Sequence, residues 1–224
     1  MLFDPSIQDV STMSESLENI NTSPLSDILH SIDQPILRKD LLADAGPRKA
    51  WHANSAELAR CDLSEEHCHM FPKVGLRVMA VWRRSVKGPT LAEIKEDDEK
   101  IPLFASRVAH LIGSVLGQNL HAGGFAIVTT PRRRHKQRNF ACLVAQDIAR
   151  RLNIPYHEDV AIAKTKQRIG VDFAPGNIPP EYNLIVFDDF VTTGSTLGAM
   201  NRLLAPMGKN CIYFVGVNNQ LNYD

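Results

Sequence analysis

The chain has 224 residues, of which 44% are hydrophobic and 22% are charged, with equal numbers of acidic and basic side chains. This size and composition are typical of a globular protein with one domain and an addition, and a net charge of zero gives no indication of a nucleic-acid or membrane partner. The start of the chain lacks the pattern of a signal peptide, and Leu111–Pro131, the longest uncharged stretch, is too polar to span a membrane.

The four cysteines have no regular spacing, so we expect a reduced, cytoplasmic protein without a disulfide framework. The N-terminal part of the chain is acidic: residues 1–37 contain six acidic residues and no Lys or Arg. The first of these residues show little hydrophobic period and predict partial disorder, whereas Ser23 and Pro24 are typical of the start of a helix. We therefore expect residues 1–46 to form a partly disordered or helical N-terminal segment.

Residues 47–100 are expected to form an appendage, or hood, on the domain that follows. Within them, the apolar run Val74–Trp82 predicts a strand. The highly charged stretch Glu93–Lys100 predicts a solvated turn or the end of a helix.

From residue 101 the hydrophobic pattern becomes regular. Apolar residues at helical spacing predict three helices, which begin near Ile101, near Phe140 and at about Ser195, with the first ending near Gly117 and the third at Gly208. Short apolar runs predict four strands: Gly124–Thr129, Val160–Ala163, Leu184–Phe187 and Cys211–Val217. Because the strands alternate with helices and are apolar throughout, we expect residues 101–224 to be an α/β domain whose mainly parallel sheet is flanked by helices.

The most unusual segment follows the predicted strand Leu184–Phe187. Two adjacent acids, Asp188 and Asp189, come first, and a hydroxyl-rich loop then leads into the third helix; this loop is Thr192, Thr193, Gly194, Ser195 and Thr196. Ligands of parallel sheets bind beyond the carboxyl ends of the strands, and a glycine-containing helix start suits an anion because its N–H groups point outward. A carboxylate pair accepts hydrogen bonds from a vicinal diol. Together these features predict a site for a phosphorylated ribose, although each half alone is also typical of an ordinary helix entry and cap.

The segment Leu184–Thr196 resembles the phosphoribosyl-pyrophosphate signature of type I phosphoribosyltransferases. The order of Arg138-Asn139-Phe140, then Lys164–Gln167, then this signature is similar to that of ComF-like, amidophosphoribosyltransferase-related proteins, over about residues 101–217. The resemblance implies that Asp188 and Asp189 hold the ribose hydroxyls and that Thr192–Thr196 hold the 5-phosphate. It also implies 5-phosphoribosyl-1-pyrophosphate and a nitrogenous acceptor as substrates, with Mg²⁺ bound mainly through the substrate rather than by protein ligands.

The same resemblance implies two further loops. A pyrophosphate loop would contain Thr130, Arg132, Arg133, Arg134 and Arg138, and cations there suit a highly charged leaving group. A closing loop would carry the catalytic cations Lys164, Lys166 and Arg168. For the basic residues Arg133–Arg138, a nucleic-acid patch or a solvated turn stays an equally open interpretation, and for each residue of the closing loop so does an ordinary exposed loop.

These features predict a phosphoribosyltransferase whose acceptor the sequence does not name. The alternative is a non-catalytic ComF-like module that senses phosphoribosyl pyrophosphate or a nucleotide, or that binds DNA through Arg132–Arg138; a homodimer also stays open. Thr192 stands where purine-salvage members often carry an Asp, which counts against a typical oxopurine enzyme. Only seven residues follow Val217, so we expect acceptor choice to depend on a cover formed by about residues 47–100.

Two other groups of polar residues carry side chains that can act as ligands. Cys61, His67, Cys68 and His69 could hold a metal, but the four-cysteine zinc module common in ComF relatives is missing and the spacing is poor. Whether these four residues bind a metal stays open. Asn218, Asn219 and Gln220 follow the last predicted strand and are interpreted as a polar tail, although their position would also suit a pocket.

Overall fold

A computed structural model describes residues 59–131, 139–164 and 172–220, which contain eight strands and five α-helices. The strands are β1 (His69–Lys73), β2 (Leu76–Arg83), β3 (Phe125–Thr129), β4 (Tyr156–His157), β5 (Ala161–Ala163), β6 (Phe173–Pro175), β7 (Asn183–Val191) and β8 (Asn210–Asn218). The helices are α1 (Leu91–Glu96), α2 (Lys100–Leu116), α3 (Asn119–Ala122), α4 (Phe140–Leu152) and α5 (Ser195–Leu204), and a 3₁₀ turn, Ala205–Met207, follows α5. In these ranges no helix has the length and apolar character that crossing a bilayer requires.

Six strands form the central sheet, in the order β1-β2-β8-β7-β3-β4. Every neighbouring pair is parallel except β1 and β2, which form an antiparallel hairpin at one edge. This confirms the predicted mainly parallel α/β architecture. The predicted strand Val160–Ala163 exists as β5, but it pairs with β6 in a separate two-stranded antiparallel sheet instead of joining the central one.

Hydrophobic cores lie on both faces of the central sheet, which explains why its strands are apolar throughout. On one face, the helices α2 and α4 pack against Ile185 and Phe187 of β7. On the other face, Leu197 and Met200 of α5 pack against alternate residues of the same strand, such as Val186. Because both faces are covered, the sheet can bind a ligand only at its edges or strand ends.

The helix boundaries follow the glycines that the sequence contains. Helix α2 ends at Gly117, whose φ of 52° lies in the left-handed region. Helix α5 ends at Leu204, and the 3₁₀ turn that follows it ends at Gly208, where φ is 74°. The predicted helix ends are therefore confirmed, with the last helical turn tightened into a 3₁₀ turn.

The part of the hood that the structure describes begins at residue 59, and it contributes to the central sheet. The predicted strand Val74–Trp82 is confirmed as β2, which lies beside β8, while β1 was not predicted. The sheet thus continues across the division expected at residue 100. Glu93–Lys100, expected as a turn or helix end, contains the end of α1 and the start of α2. The segment 1–46 lies outside the described residues.

Candidate functional site

The two acids of the predicted ribose site lie inside β7, near its carboxyl end. The strand was expected to stop at Phe187, but it continues to Val191. Each carboxylate accepts a hydrogen bond from the next backbone N–H: Asp189 N donates to Asp188 Oδ1 at 3.1 Å, and Phe190 N donates to Asp189 Oδ1 at 2.8 Å. These local bonds fix both carboxylates against the main chain at the end of the strand where ligands of parallel sheets bind.

The two carboxylates have different surroundings. Asp189 is buried, and its Oδ2 lies 2.7 Å from Nζ of Lys95 in α1. Asp188 accepts a hydrogen bond of 3.1 Å from Oγ1 of Thr130, a residue predicted to lie in the pyrophosphate loop. Burial of the carboxyl group, followed by repulsion from Asp189, raises the pKa of Asp188, while Lys95 and Thr130 act in the opposite direction. The pair therefore combines one carboxylate bound to a cation with one carboxyl group whose pKa is raised.

The hydroxyl-rich loop connects β7 to the N-terminus of α5. Thr192 and Thr193 are exposed, and Gly194 is buried, with a left-handed φ of 76°. The Thr193 and Ser195 hydroxyls lie 3.0 Å apart, and Ser195 N donates to Thr193 Oγ1 at 3.4 Å. Since Gly194 is the N-cap residue, it has no side chain to satisfy the first N–H groups of the helix. A loop of this kind can present both hydroxyls and N–H groups to an anion.

Lys73, a residue that the sequence analysis did not identify, lies against this loop. It ends β1, at the tip of the hairpin, and a Cβ placed on Gly194 would overlap its Cγ. The neighbouring Val74 contributes a methyl group 3.4 Å from the same point. Lys73 is half-buried, and burial lowers its pKa. The contact could not be inferred from the sequence because Lys73 and Gly194 are 121 positions apart, the difference between their residue numbers.

Polar residues at the end of β8 border the same loop. Asn218 and Asn219 are 3% and 8% exposed, so the interpretation as a polar tail is wrong for these two residues. Asn219 Nδ2 donates to Thr192 Oγ1 at 3.0 Å, and the backbone N–H of Asn219 donates to the Val191 carbonyl at 2.8 Å. Asn219 therefore holds the first hydroxyl of the loop next to the end of β7.

Several predicted site residues lie outside the described part of the chain. They are Arg132, Arg133, Arg134 and Arg138 of the pyrophosphate loop and Lys166 and Arg168 of the closing loop. Lys164 is described: its ammonium group donates to Asp172 Oδ2 at 2.7 Å, on the exposed surface at the base of the β5–β6 pair. In the described residues the structure thus brings together Thr130 and the acid pair, and it holds Lys164 in an ion pair of its own.

The cysteine and histidine residues considered as metal ligands do not converge. All four cysteines of the chain are free thiols. Cys61 is buried, donates to the Arg83 carbonyl at 3.5 Å, and has its pKa raised to about 12 by burial and by Asp62, whereas Cys68 is exposed. Within residues 59–131, 139–164 and 172–220, no group of three or more His, Cys, Asp and Glu side chains is arranged to hold a metal ion.

No family model matches the sequence, and no curated protein matches it. Solved structures that are similar to this chain include phosphoribosyltransferases. Orotate phosphoribosyltransferase from Aeropyrum pernix is 19% identical, with 70% of this chain and 77% of that chain covered and a TM-score of 0.40. Adenine phosphoribosyltransferase from Saccharomyces cerevisiae, in complex with an imino-altritol bisphosphate and adenine, is 14% identical (67% and 83% covered; TM-score 0.40). A Bacillus anthracis hypoxanthine-guanine phosphoribosyltransferase is 15% identical (55% and 80% covered; TM-score 0.39). Identities and TM-scores at this level assign the chain to no family.

Proposed function

We propose that this chain is a phosphoribosyltransferase that binds 5-phosphoribosyl-1-pyrophosphate and transfers its phosphoribose to a nitrogenous acceptor. The observation that carries the proposal is the arrangement of one strand, one loop and one helix. Asp188 and Asp189 lie at the end of β7, and Thr192–Thr196 lead directly into α5. A ribose 5-phosphate presents two hydroxyls at one end and a phosphate at the other, which matches two carboxylates followed by an anion-binding helix start.

At the ribose end, the acid pair would accept hydrogen bonds from the 2- and 3-hydroxyls. Hydrogen bonds to charged acceptors are stronger than those between neutral groups, and they are strengthened further where water is excluded. Asp189 is buried and Asp188 is half-buried, which supports this role. Thr130, whose hydroxyl bonds to Asp188, would link the ribose site to the neighbouring pyrophosphate loop.

At the phosphate end, the hydroxyls of Thr193 and Ser195 and the first N–H groups of α5 would bind the 5-phosphate. Lys73 would add a positive charge near the loop, since the stem of its side chain packs against Gly194. A phosphate ester carries up to two negative charges, and a nearby partly desolvated cation increases its attraction to the site. This contact supports assigning the phosphate to the loop.

The chemistry would be a displacement at the anomeric carbon with pyrophosphate as the leaving group. Mg²⁺ would be bound through substrate oxygens and water, as it prefers, because Lys95 already engages Asp189 and the acid pair is assigned to the ribose hydroxyls. The proposed contributions of the chain are cations at the leaving group, from Arg132, Arg133, Arg134 and Arg138 and from Lys164, Lys166 and Arg168, and a site that excludes water.

The acceptor would be chosen by the part of the chain that precedes residue 101. Lys95 of α1 contacts Asp189, and Lys73 of the β1–β2 hairpin contacts Gly194, so this region reaches both ends of the proposed ribose-phosphate site. A cover over the anomeric carbon would have to come from residues that, like these two lysines, reach the proposed ribose-phosphate site from the region before residue 101. This supports the expectation that residues 47–100 contain the determinants of acceptor specificity.

The ribose assignment is tested by replacing both acids. Asp188→Asn combined with Asp189→Asn should weaken the binding of 5-phosphoribosyl-1-pyrophosphate at least about tenfold, because each hydrogen bond to a charged acceptor contributes roughly 1.5–3 kcal/mol. Asp147→Asn serves as a control, since Asp147 pairs with Arg150 and Arg151 on the surface of α4. Calorimetry that gives equal affinities for the double variant, the control and the wild type would rule out the ribose assignment.

A second measurement separates the enzyme from a non-catalytic module. An enzyme should release pyrophosphate from 5-phosphoribosyl-1-pyrophosphate when the correct nucleobase is present with Mg²⁺. A sensing module should bind the same ligand and release none with any acceptor. A DNA-binding module should instead bind duplex DNA with an affinity that falls steeply with salt.

A further inference from the structure

Lys95 contacts the predicted ribose site although it lies outside the signature sequence, 94 positions before Asp189 by residue number. Its ammonium nitrogen is 2.7 Å from Asp189 Oδ2 and 4.7 Å from the centre of the Phe190 ring. The ammonium group is thus held by a carboxylate on one side and by the face of an aromatic ring on the other. Both partners belong to the last three residues of β7 before the hydroxyl-rich loop.

The short helix that carries Lys95 is fixed in position by two kinds of contact. Thr90 and Glu93 form a capping box at its N-terminus, in which Thr90 Oγ1 accepts from Glu93 N at 3.2 Å and Thr90 N donates to Glu93 at 2.6 Å. Leu91 and Ile94 are buried in the core on the α2 side of the sheet. An isolated helix of six residues would not be stable, so these contacts determine where the Lys95 side chain is presented.

We propose that Lys95 is a positioning residue of the ribose site: its ion pair with Asp189, beside the Phe190 ring, fixes that carboxylate in place and offsets the repulsion between the two adjacent acids. The inference rests on the proposed function and names how the acid pair is prepared for a ribose diol. When both acids are ionised, the two carboxylates and Lys95 together carry one net negative charge. Without Lys95, the two adjacent negative charges of the carboxylates would lack this compensation.

The physical reason is the cost of two like charges side by side. Two adjacent buried carboxyls repel when both are ionised, so one of them tends to keep a proton. Among the described residues, the charged groups acting on Asp188 are Asp189 and Lys95, and the neutral donors that face it are the Thr130 hydroxyl and the Asp189 backbone N–H. Within this part of the chain Lys95 is therefore the cation that opposes the repulsion, and its removal should make Asp188 hold its proton to a higher pH.

This has a direct consequence for ligand binding. A ribose hydroxyl donates a hydrogen bond more strongly to an ionised carboxylate than to a protonated one. As the pH falls through the titration of Asp188, the affinity for ribose 5-phosphate should fall. The loss of Lys95 should move this fall to higher pH, by about one pH unit or more, which is the usual effect of removing a nearby opposite charge.

The experiment compares Lys95→Met, Lys95→Arg and the wild type in two measurements. The first is the ¹³C NMR titration of the Asp188 carboxyl in the ligand-free protein. The second is the affinity for ribose 5-phosphate by calorimetry over the same pH range. Lys100→Met is the matched control, because Lys100 lies on the adjoining helix and pairs with the surface residue Asp97 at 3.4 Å.

We expect Lys95→Met to raise both midpoints, Lys95→Arg to return them towards the wild-type values and Lys100→Met to change neither. Affinities of the wild type and Lys95→Met should converge at high pH, where Asp188 is ionised in both, which also shows that the variant is folded. Unchanged midpoints in Lys95→Met, together with normal binding by the wild type, would overturn this inference and leave the ribose site intact. Failure of the wild type to bind ribose 5-phosphate at any pH would overturn the proposed function itself.

Discussion

The contact between the hairpin tip and the hydroxyl-rich loop predicts an unusually large effect of the substitution Gly194→Ala. Gly194 has a φ of 76°, and a Cβ at this position would overlap Cγ of Lys73. The overlap involves the stem of the lysine side chain rather than its mobile end. Cβ of Lys73 and Cγ2 of Val74 each lie 3.4 Å from the new methyl group, which is ordinary contact, so relief of the overlap requires the stem of Lys73 to move.

The expected loss in the free energy of unfolding of Gly194→Ala has two parts. A left-handed conformation costs an L-residue roughly 1–2 kcal/mol, and inserting a methyl group into an occupied space typically costs a further ~1–3 kcal/mol. Gly208→Ala isolates the first part. Gly208 has nearly the same φ, 74°, but a Cβ there meets nothing within 4 Å. The gain from a less flexible unfolded chain is the same for both substitutions and cancels in the comparison.

The assay is urea unfolding of Gly194→Ala, Gly208→Ala and Lys73→Ala, together with the double variant Lys73→Ala/Gly194→Ala. We expect Gly194→Ala to lower the free energy of unfolding by at least about 1 kcal/mol more than Gly208→Ala does, in line with the overpacking cost. In the Lys73→Ala background the cost of Gly194→Ala should fall towards that of Gly208→Ala, since the overlapping Cγ has been removed. Equal costs for the two glycine substitutions in the wild-type background would refute the packing of Lys73 against the loop.

Two further outcomes follow from the acid pair and from α1. Burial raises the pKa of Asp188 above its unfolded value, so the protonated form stabilises the fold fully below about pH 4, and this stability is lost as the pH rises through the folded pKa. Asp188→Asn should therefore be more stable than the wild type at about pH 8, measured as the urea midpoint across pH. A wild-type midpoint that rises from acid to neutral pH, with no gain in the variant, would contradict this. Thr90→Ala removes the capping box of α1 and should lower the free energy of unfolding by about 0.5–2 kcal/mol in the same assay. A loss of stability without any shift of the Asp188 titration would show that Lys95 keeps its ion pair with Asp189 when the cap is lost.

The sequence predicted well those features that depend on nearby residues. The helices α2, α4 and α5 and the strands β3, β7 and β8 were each predicted within a few residues, because their hydrophobic patterns are regular and both faces of the sheet are covered. The order of acid pair, loop and helix could also be read from the sequence, since thirteen consecutive residues contain it. The end of β7 was misplaced because charged residues interrupt an apolar pattern, although backbone pairing with β8 continues past them.

Features that depend on distant residues could not be predicted in this way. Nothing in the sequence of β1 and β2 indicates that they extend the sheet beside β8, because an antiparallel edge hairpin and a separate appendage have the same local pattern. The burial of Asn218 and Asn219 likewise depends on the neighbouring strand and loop, and not on their own polar character. The pairing of β5 with β6 involves segments on either side of residues 165–171.

The composition of the signature indicates why positive charge at this site has to come from other segments of the chain. Leu184–Thr196 contains two carboxylates and several hydroxyls but no cation. A site that gathers two carboxylates and a phosphate in a partly buried place needs positive charge to offset the repulsion among them. In the described residues, Lys95 lies at the acid pair and Lys73 lies beside the hydroxyl-rich loop, and both precede residue 101.

This arrangement also decides how the role of the N-terminal half can be tested. A chain beginning at residue 101 would lose both lysines, but it would also lose β1 and β2 and leave the edge of β8 unpaired. A loss of binding in that fragment could not be separated from a loss of folding. Substitution of Lys73 or Lys95 keeps the sheet complete and removes one charge at a time, so it can separate the contribution of each lysine to binding from the contribution of the hairpin to the fold.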